Sequence, residues 1–330
     1  MDKSGELRID FHIHMVGDGT SGSDCQMSRR MNRRLVTWYL CRSVGLPRRL
    51  LGTEGDRLYL EKLLGYLNSS REIDRGLLLA YDRVYRDDGT PDDGWPELYI
   101  PNDYVLDIAA REPRALAGIS IHPYRPDALD ELDRCAELGA AAVKWLPTCQ
   151  NIDPADPRCR PFFDRLVVYG IPLICHTGPE HAFTVLRPDL QNPRILRPAL
   201  ERGVNAVAAH CGLNVLPWER NCLEGFLGLL RDFPNAWGDV SAFSLPRRPG
   251  LVRRVVEDGD VIPRLIHGSD WPLPIHGRWL PGLVPWGTAL DIDRDPNPLD
   301  RAVRIMRAMG LPESLFGRAS AIVPRRVLGG

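Results

Sequence analysis

The 330-residue chain predicts one (β/α)8 TIM barrel with long insertions after its first and its eighth strand. Three observations carry this expectation. Short apolar runs recur between segments of helical character, the rhythm of a parallel sheet wrapped by helices. The runs number eight, which matches the strand count and the size of such a barrel. Four of them terminate at a histidine and a fifth runs into an aspartate, where a barrel gathers its functional side chains.

Taken in order, the strands are expected over residues 7–14, 76–81, 116–122, 141–146, 171–176, 204–210, 236–241 and 264–269. Helices are expected over 102–111, 127–138, 160–169, 192–202, 218–232 and 249–258, with closing helices over 299–309 and 312–320. Several open at Pro or Asp, and Gly139, Gly170, Gly203 and Gly259 stand where four of them should stop. Two stretches exceed an ordinary loop: residues 15–68, between the first and second strands, and the Pro- and Gly-rich 271–297 after the eighth. In one barrel of residues 1–330 both would spring from C-terminal strand ends and cover the mouth, as lids or substrate walls.

Composition narrows the partners. Lys plus Arg number 42 against 43 Asp plus Glu, a formal net charge of −1, so no global field draws the chain to nucleic acid or to an anionic membrane. A small-molecule substrate is expected instead. The first insertion does carry Arg29, Arg30, Arg33, Arg34, Arg42, Arg48 and Arg49. Leu35, Trp38, Tyr39, Leu40 and Val44 interleave with them, which fits an amphipathic helix whose arginine face is solvated. The N-terminal stretch lacks a signal-like apolar run and no apolar stretch is long enough to span a membrane, so a cytoplasmic location is expected. The eight cysteines form no CxxC pair and are expected to be buried thiols, with Cys175 pointing away from His176.

Strand alternation puts Asp10, His12 and His14 on one face of the first strand and Phe11 and Ile13 on the other. A HxH pair alone is weak evidence, since paired histidines also occur as hydrogen-bonded core residues. Its companions give it weight. Residues 171–176 end in His176, 204–210 in His210 and 264–270 in Asp270, and a closed barrel brings all these strand ends to one mouth. Lys144 ends the fourth run in the same register. Three readings are open for it: a carbamylated side chain bridging two metal ions, an ammonium gripping a substrate carboxylate, or a chain reaching solvent. His122 and His181 are placed near the mouth as candidate substrate contacts, His122 having a satisfied structural histidine as its alternative. Trp271, Trp279 and Trp286 are candidate walls of an apolar pocket, and Asp239 a candidate orienting partner for a ligand imidazole.

The phrases IDFHIH (9–14), AAVKWLP (141–147), ICHTGPEH (174–181), VAAHCG (207–212) and HGSDWP (267–272), with LPESLFGRASAIV near the end, resemble the amidohydrolase superfamily, in its amidohydrolase-related branch of metal-dependent TIM-barrel hydrolases. The likeness spans almost the whole chain. The resemblance implies that His12, His14, His176 and Asp270 are metal ligands. It makes His210 either a ligand of a second metal or a catalytic residue beside a single one. Where relatives with this Lys often continue into His and Pro, here Trp145 and Leu146 precede Pro147, so the resemblance leaves open whether Lys144 serves a second ion.

Imidazoles with a carboxylate suit one or two divalent ions, zinc first and then manganese, iron or cobalt. Asp270 is then expected to act as general acid and base, and His210 or the metal to polarise the attacked carbonyl. The plainer alternative for Asp270 is a cap on the turn before Trp271 and Pro272. The expected activity is hydrolysis of an amide, ester or lactone in a small, carboxylated or cyclic molecule. Non-oxidative decarboxylation of an aromatic or unsaturated acid is the alternative, and a metabolite-binding barrel with a structural metal a third. A homodimer is expected by analogy.

Overall fold

The computed structural model describes residues 6–94, 97–246 and 249–329, so the first five residues of the N-terminal stretch lie outside the described residues. Eight parallel strands form one sheet in strictly sequential order: β1 (Ile9–His14), β2 (Arg75–Leu79), β3 (Ala115–Ile119), β4 (Ala140–Trp145), β5 (Leu173–His176), β6 (Ala206–Ala209), β7 (Ala236–Asp239) and β8 (Leu265–Ile266). Backbone hydrogen bonds close the ring between β8 and β1. Phe11 N donates to His267 O at 2.9 Å, Asp270 N to His12 O at 2.9 Å and His14 N to Trp271 O at 2.8 Å. Each strand falls inside or beside the run that predicted it, because strands buried on both faces must be apolar throughout.

Two apolar layers hold the barrel. Phe11, Leu77, Leu116, Ile174, Val207 and Ile266 come from strands all around the ring and form one cluster with Ala319, Ile322 and Val323 of the C-terminal segment. A larger cluster lies between the strands and the surrounding helices and includes Trp145, Phe162, Phe163 and Phe226. Strict alternation fails in β1. Its register against β2 shifts between Asp10 and Ile13, and Phe11 joins the first cluster while Ile13 joins the second. Cys175 lies in the outer layer and Ile174 in the inner, as alternation requires. All eight cysteines are buried thiols in no disulfide.

Helices over Asn102–Arg111, Ala128–Glu137, Cys159–Tyr169, Pro249–Val256 and Pro298–Ala308 agree with expectation within two residues at most ends. The segment 192–202 does not form one helix. It divides into a 3₁₀ turn, Pro193–Leu196, and a short helix, Arg197–Glu201, because Pro198 lacks the N–H that a continuous helix would need. The helix expected from residue 218 begins only at Leu223.

The first insertion also departs from its sequence reading. Its arginine-rich part is two short helices, Arg29–Arg33 and Leu35–Ser43, broken by extended backbone at Arg34. Leu35, Trp38 and Tyr39 face solvent, whereas Met31, Thr37 and Cys41 are buried. The remainder, Gly55–Ser69, takes the place of a barrel helix before β2. Its Leu63 and Leu67 are fully buried, and Tyr59 Oη donates to His14 O at 2.6 Å. A third excursion, residues 80–101 after β2, joins the two lengthy ones. Its Leu98–Tyr99 pairs antiparallel with Gln26–Met27 of the first insertion. Among the described residues no helix is long and apolar enough to cross a membrane.

Candidate metal centre

β1 and β5 carry His12, His14 and His176 within their ladders, whereas β6 and β8 stop short of His210 and Asp270. After β6 the backbone takes positive φ at His210 (61°) and Cys211 (55°), and after β8 at Asp270 (61°). Non-glycine residues rarely adopt this region and hold it where the surroundings over-determine the backbone. The result is convergence on His12, with ligand atoms of His12, His210 and Asp270 all within 4.8 Å of one another. His14 joins them, its Nε2 lying 3.2 Å from His12 Nε2 and 3.1 Å from Asp270 Oδ1. Asp270 Oδ1 is 3.4 Å from His12 Nε2. The His176 ring packs against His210 at 4.9 Å between centroids. Five side chains from four strand ends thus gather at the barrel mouth, four of them buried and His14 partly open.

Asp239 orients this cluster from β7. Its Oδ2 accepts from His12 Nδ1 at 2.8 Å, and its Oδ1 accepts from His210 N at 2.9 Å and Ser241 N at 3.1 Å. Burial pushes the Asp239 carboxyl up, but the His12 and His210 imidazoles and Lys144 outweigh it and hold the group below the usual carboxylate range. An ionised Asp239 fixes the proton of His12 on Nδ1 and turns the Nε2 lone pair toward His14 and Asp270. Burial likewise raises Asp270, and His210, His12 and His14 bring it well below the ordinary value. His210 Nδ1 lies 3.1 Å from the Ser241 carbonyl and 2.8 Å from Ser241 Oγ. A carbonyl only accepts, so the His210 proton sits on Nδ1 and Nε2 keeps its lone pair. That tautomer suits ligation or proton acceptance at Nε2.

Lys144 lies within the cluster and is sealed from solvent, with Nζ 3.0 Å from His12 Nε2. The reading in which it reaches solvent is therefore excluded. Burial lowers its pKa, against the opposing pull of Asp239 and Asp270. Lys144 also does not line the cavity described below. The donor set as a whole fits a divalent cation. It sets the Nε2 atoms of His12 and His14 beside an ionised carboxylate, with a buried His176 Nε2 that makes no hydrogen bond.

Other expected residues fall elsewhere. His122 has both ring nitrogens engaged by backbone, Nε2 with Gln150 O at 2.7 Å and Nδ1 accepting from Tyr124 N at 3.2 Å, and it does not line the cavity. Trp271 is buried against Tyr59, ring centroids 4.8 Å apart, and is likewise absent from the lining. His181 does line the cavity, with Nε2 2.9 Å from Glu219 Oε1.

Two residues were not singled out from sequence. Ser241 bridges Asp239 and His210. Glu180 lines the cavity with Oε2 3.4 Å from His176 Nε2, and its Oε1 accepts from His181 N at 2.8 Å. The spacing of Glu180 four residues after His176 was a usable signal; Ser241 had none beyond proximity to Asp239.

The cluster forms the floor of a cavity of about 200 Å³. His14, His176, His210 and Asp270 line its inner end, and the first insertion supplies much of the rest through Met27, Met31, Val36, Leu40, Val44 and Leu51.

Comparison with known proteins agrees with the motifs. The chain resembles a putative 2-pyrone-4,6-dicarboxylic acid hydrolase from Pseudomonas putida, with 19% identity, TM-score 0.56, and 98% of this chain and 97% of that one covered. It also resembles an uncharacterized TIM-barrel protein from Bordetella bronchiseptica, with 16% identity, TM-score 0.55, and coverage of 92% and 99%. A third is 5-carboxyvanillate decarboxylase from Sphingomonas paucimobilis, with 15% identity, TM-score 0.50, and coverage of 97% and 99%. At these identities the likeness establishes the barrel and leaves the chemistry to the site. No curated protein matches the sequence. The amidohydrolase family profile matches residues 9–310, nearly the whole barrel, and the chain belongs to that family.

Proposed function

We propose that this protein is a metal-dependent hydrolase that cleaves an amide, ester or lactone bond of a small molecule, with Asp270 as general acid and base. The observation that carries the reading is the position of Asp270, which lies among His12, His14 and His210 and lines the cavity's inner end. His12, His14, His176 and Asp270 would hold a divalent cation, zinc being the first candidate, and His210 and Lys144 stand close enough to take part or to serve a second ion. When bound, such an ion supplies Lewis acidity, polarising a carbonyl and bringing the pKa of water toward neutrality.

Asp270 is ionised at neutral pH, as a base must be. Its Oδ1 faces His12 and His14, and its Oδ2 is turned toward His210 at 3.8 Å, free to take the proton of an attacking water and return it to the leaving group. Asp239 and Ser241 hold the His12 and His210 rings in the tautomers this requires. The apolar walls keep bulk water from the reacting groups, which strengthens each charge interaction at the floor. Decarboxylation needs a carboxylate substrate, which would have only the bound ion to receive it, since among the described residues no Arg or Lys lines the cavity to hold a second anionic group. Hydrolysis is the better supported of the two.

The test is turnover of a panel of esters, lactones and amides by protein stripped with a chelator and reloaded with zinc, manganese, iron or cobalt. Activity should follow the metal, and Asp270→Asn, assayed at saturating metal, should lose about 100-fold or more in kcat. Release of carbon dioxide from aromatic acids, with no hydrolysis of the panel, would replace this reading with the decarboxylase.

A further inference from the structure

We infer that the substrate presents an uncharged, apolar acyl or aryl group to this cavity, and that the first insertion selects it. The inference rests on the hydrolase reading for its chemistry, but the selection itself comes from the walls. Beyond the floor, the lining is aliphatic and aromatic: Met27, Met31, Leu40 and Val44 from the first insertion, Phe183 from the segment after β5 and Leu273 from the segment after β8. The ionisable side chains that line the cavity are acids, histidines, tyrosines and one cysteine, and among the described residues no Arg or Lys is present.

A carboxylate tail placed against these walls, away from an ion at the floor, would lose its water shell and find no cationic side chain in return, while Glu180 adds negative charge nearby. Lys144, the basic side chain beside the floor, lies off the lining against His12. A neutral apolar group meets the opposite balance, since each methylene moved from water onto such walls favours binding by about fourfold. Volume sets the scale. About 200 Å³ compares with the roughly 150 Å³ of an apolar cavity that takes up benzene, room for a ring or a short chain. A polar headgroup must then stay at the floor or outside. The expectation of a carboxylated substrate gives way here to a neutral one.

Two matched pairs test this on the metal-loaded protein. The first compares hydrolysis of phenyl hexanoate and monophenyl adipate, alike except for a terminal carboxylate. The second compares binding of hexanophenone and of its ω-carboxylate by calorimetry, which needs no turnover. Expected are a preference of about 100-fold or more for the neutral ester in kcat/KM and a similar preference for the neutral ketone in Kd. Leu40→Lys, at a partly exposed helix position, should narrow both ratios by about tenfold or more.

Equal or reversed preferences, or absence of ketone binding at millimolar concentration, overturn the inference even if both esters are cleaved. Failure to cleave either ester while the neutral ketone still binds selectively removes the hydrolase reading and leaves the selection standing.

Discussion

Asp239 Oδ2 and His12 Nδ1 lie 2.8 Å apart with both side chains fully buried, and this contact sets which nitrogen of His12 faces the cluster. Because Asp239 also receives the backbone of His210 and Ser241, it orients two imidazoles at once. Asp239→Asn keeps the size and loses the charge. Without the charge, the amide has no strong preference for an N–H at Nδ1, so His12 should present the wrong tautomer part of the time. Zinc affinity measured by competition with a chelator should fall by about 10- to 100-fold, the usual cost of removing a carboxylate behind a ligating histidine. An unchanged affinity would show that Asp239 serves only to hold the strand ends.

Gly268, two residues beyond β8, packs directly against His12. A Cβ added there would lie 2.7 Å from His12 Cβ and 3.3 Å from Ser241 Cβ, both on rigid barrel positions. Neither neighbour is the far end of a flexible chain, so the strand itself must move. Gly268→Ala is expected to cost about 1–3 kcal/mol in unfolding free energy, as overpacking does. Metal content should fall with it, because the displaced atom belongs to a ligand. Denaturant unfolding and metal analysis of the purified variant check both; a variant as stable and as metal-rich as the parent would contradict the packing argument.

The barrel was legible because each strand is buried on both sides and so had to be written as an apolar run. The centre was legible for a related reason: polar side chains such as His176, His210 and Asp270 interrupt those runs only at their C-terminal ends. The same signature misplaced His122, which also ends a run but spends both ring nitrogens on backbone. Position along a strand does not distinguish a free lone pair from a used one. The pairing of Gln26–Met27 with Leu98–Tyr99 was illegible, since two-residue strands are too short to show a period. The lid's orientation was misread because Arg34 breaks the helix and resets which residues face inward.

Burial lowers the pKa of His122 from its ordinary 6.5 to about 3, against the opposing hydrogen bond to Gln150 O. The folded value lies below the unfolded one, so at pH values between the two the unfolded chain binds a proton that the native chain does not. Stability from this histidine is therefore fully present above about pH 6.5 and is lost as pH falls toward 3, by about 1.4 kcal/mol per pH unit. His267 behaves alike, its pKa brought to about 3 by burial, whereas burial raises Asp10 to about 7 and tilts the profile the other way. The difference between parent and His122→Gln isolates the one group. Urea unfolding from pH 7 to pH 4 should show a shallower loss for the variant; parallel profiles would mean that His122 is protonated in the folded state.

Arg34 ties three mouth segments together from the break between the two lid helices. Its guanidinium donates to Ala182 O at 2.6 Å and Thr184 Oγ1 at 2.5 Å, and pairs with Glu97 Oε1 at 2.8 Å. Glu97 in turn accepts from Thr184 N at 2.6 Å, so the first insertion, the excursion after β2 and the segment after β5 share one charged node. Hydrogen bonds to charged groups contribute about 1.5–3 kcal/mol when desolvated. Arg34 touches none of the cluster side chains in this network, so its loss should act on the walls and spare the floor. Arg34→Met is therefore expected to raise KM for an apolar ester by about tenfold, near 1.4 kcal/mol, with kcat within about twofold. Amide exchange should quicken across the two helices Arg29–Arg33 and Leu35–Ser43 while β1 and β8 stay protected. A fall in kcat at constant KM, with exchange unchanged, would place Arg34 in the chemistry and not in the lid.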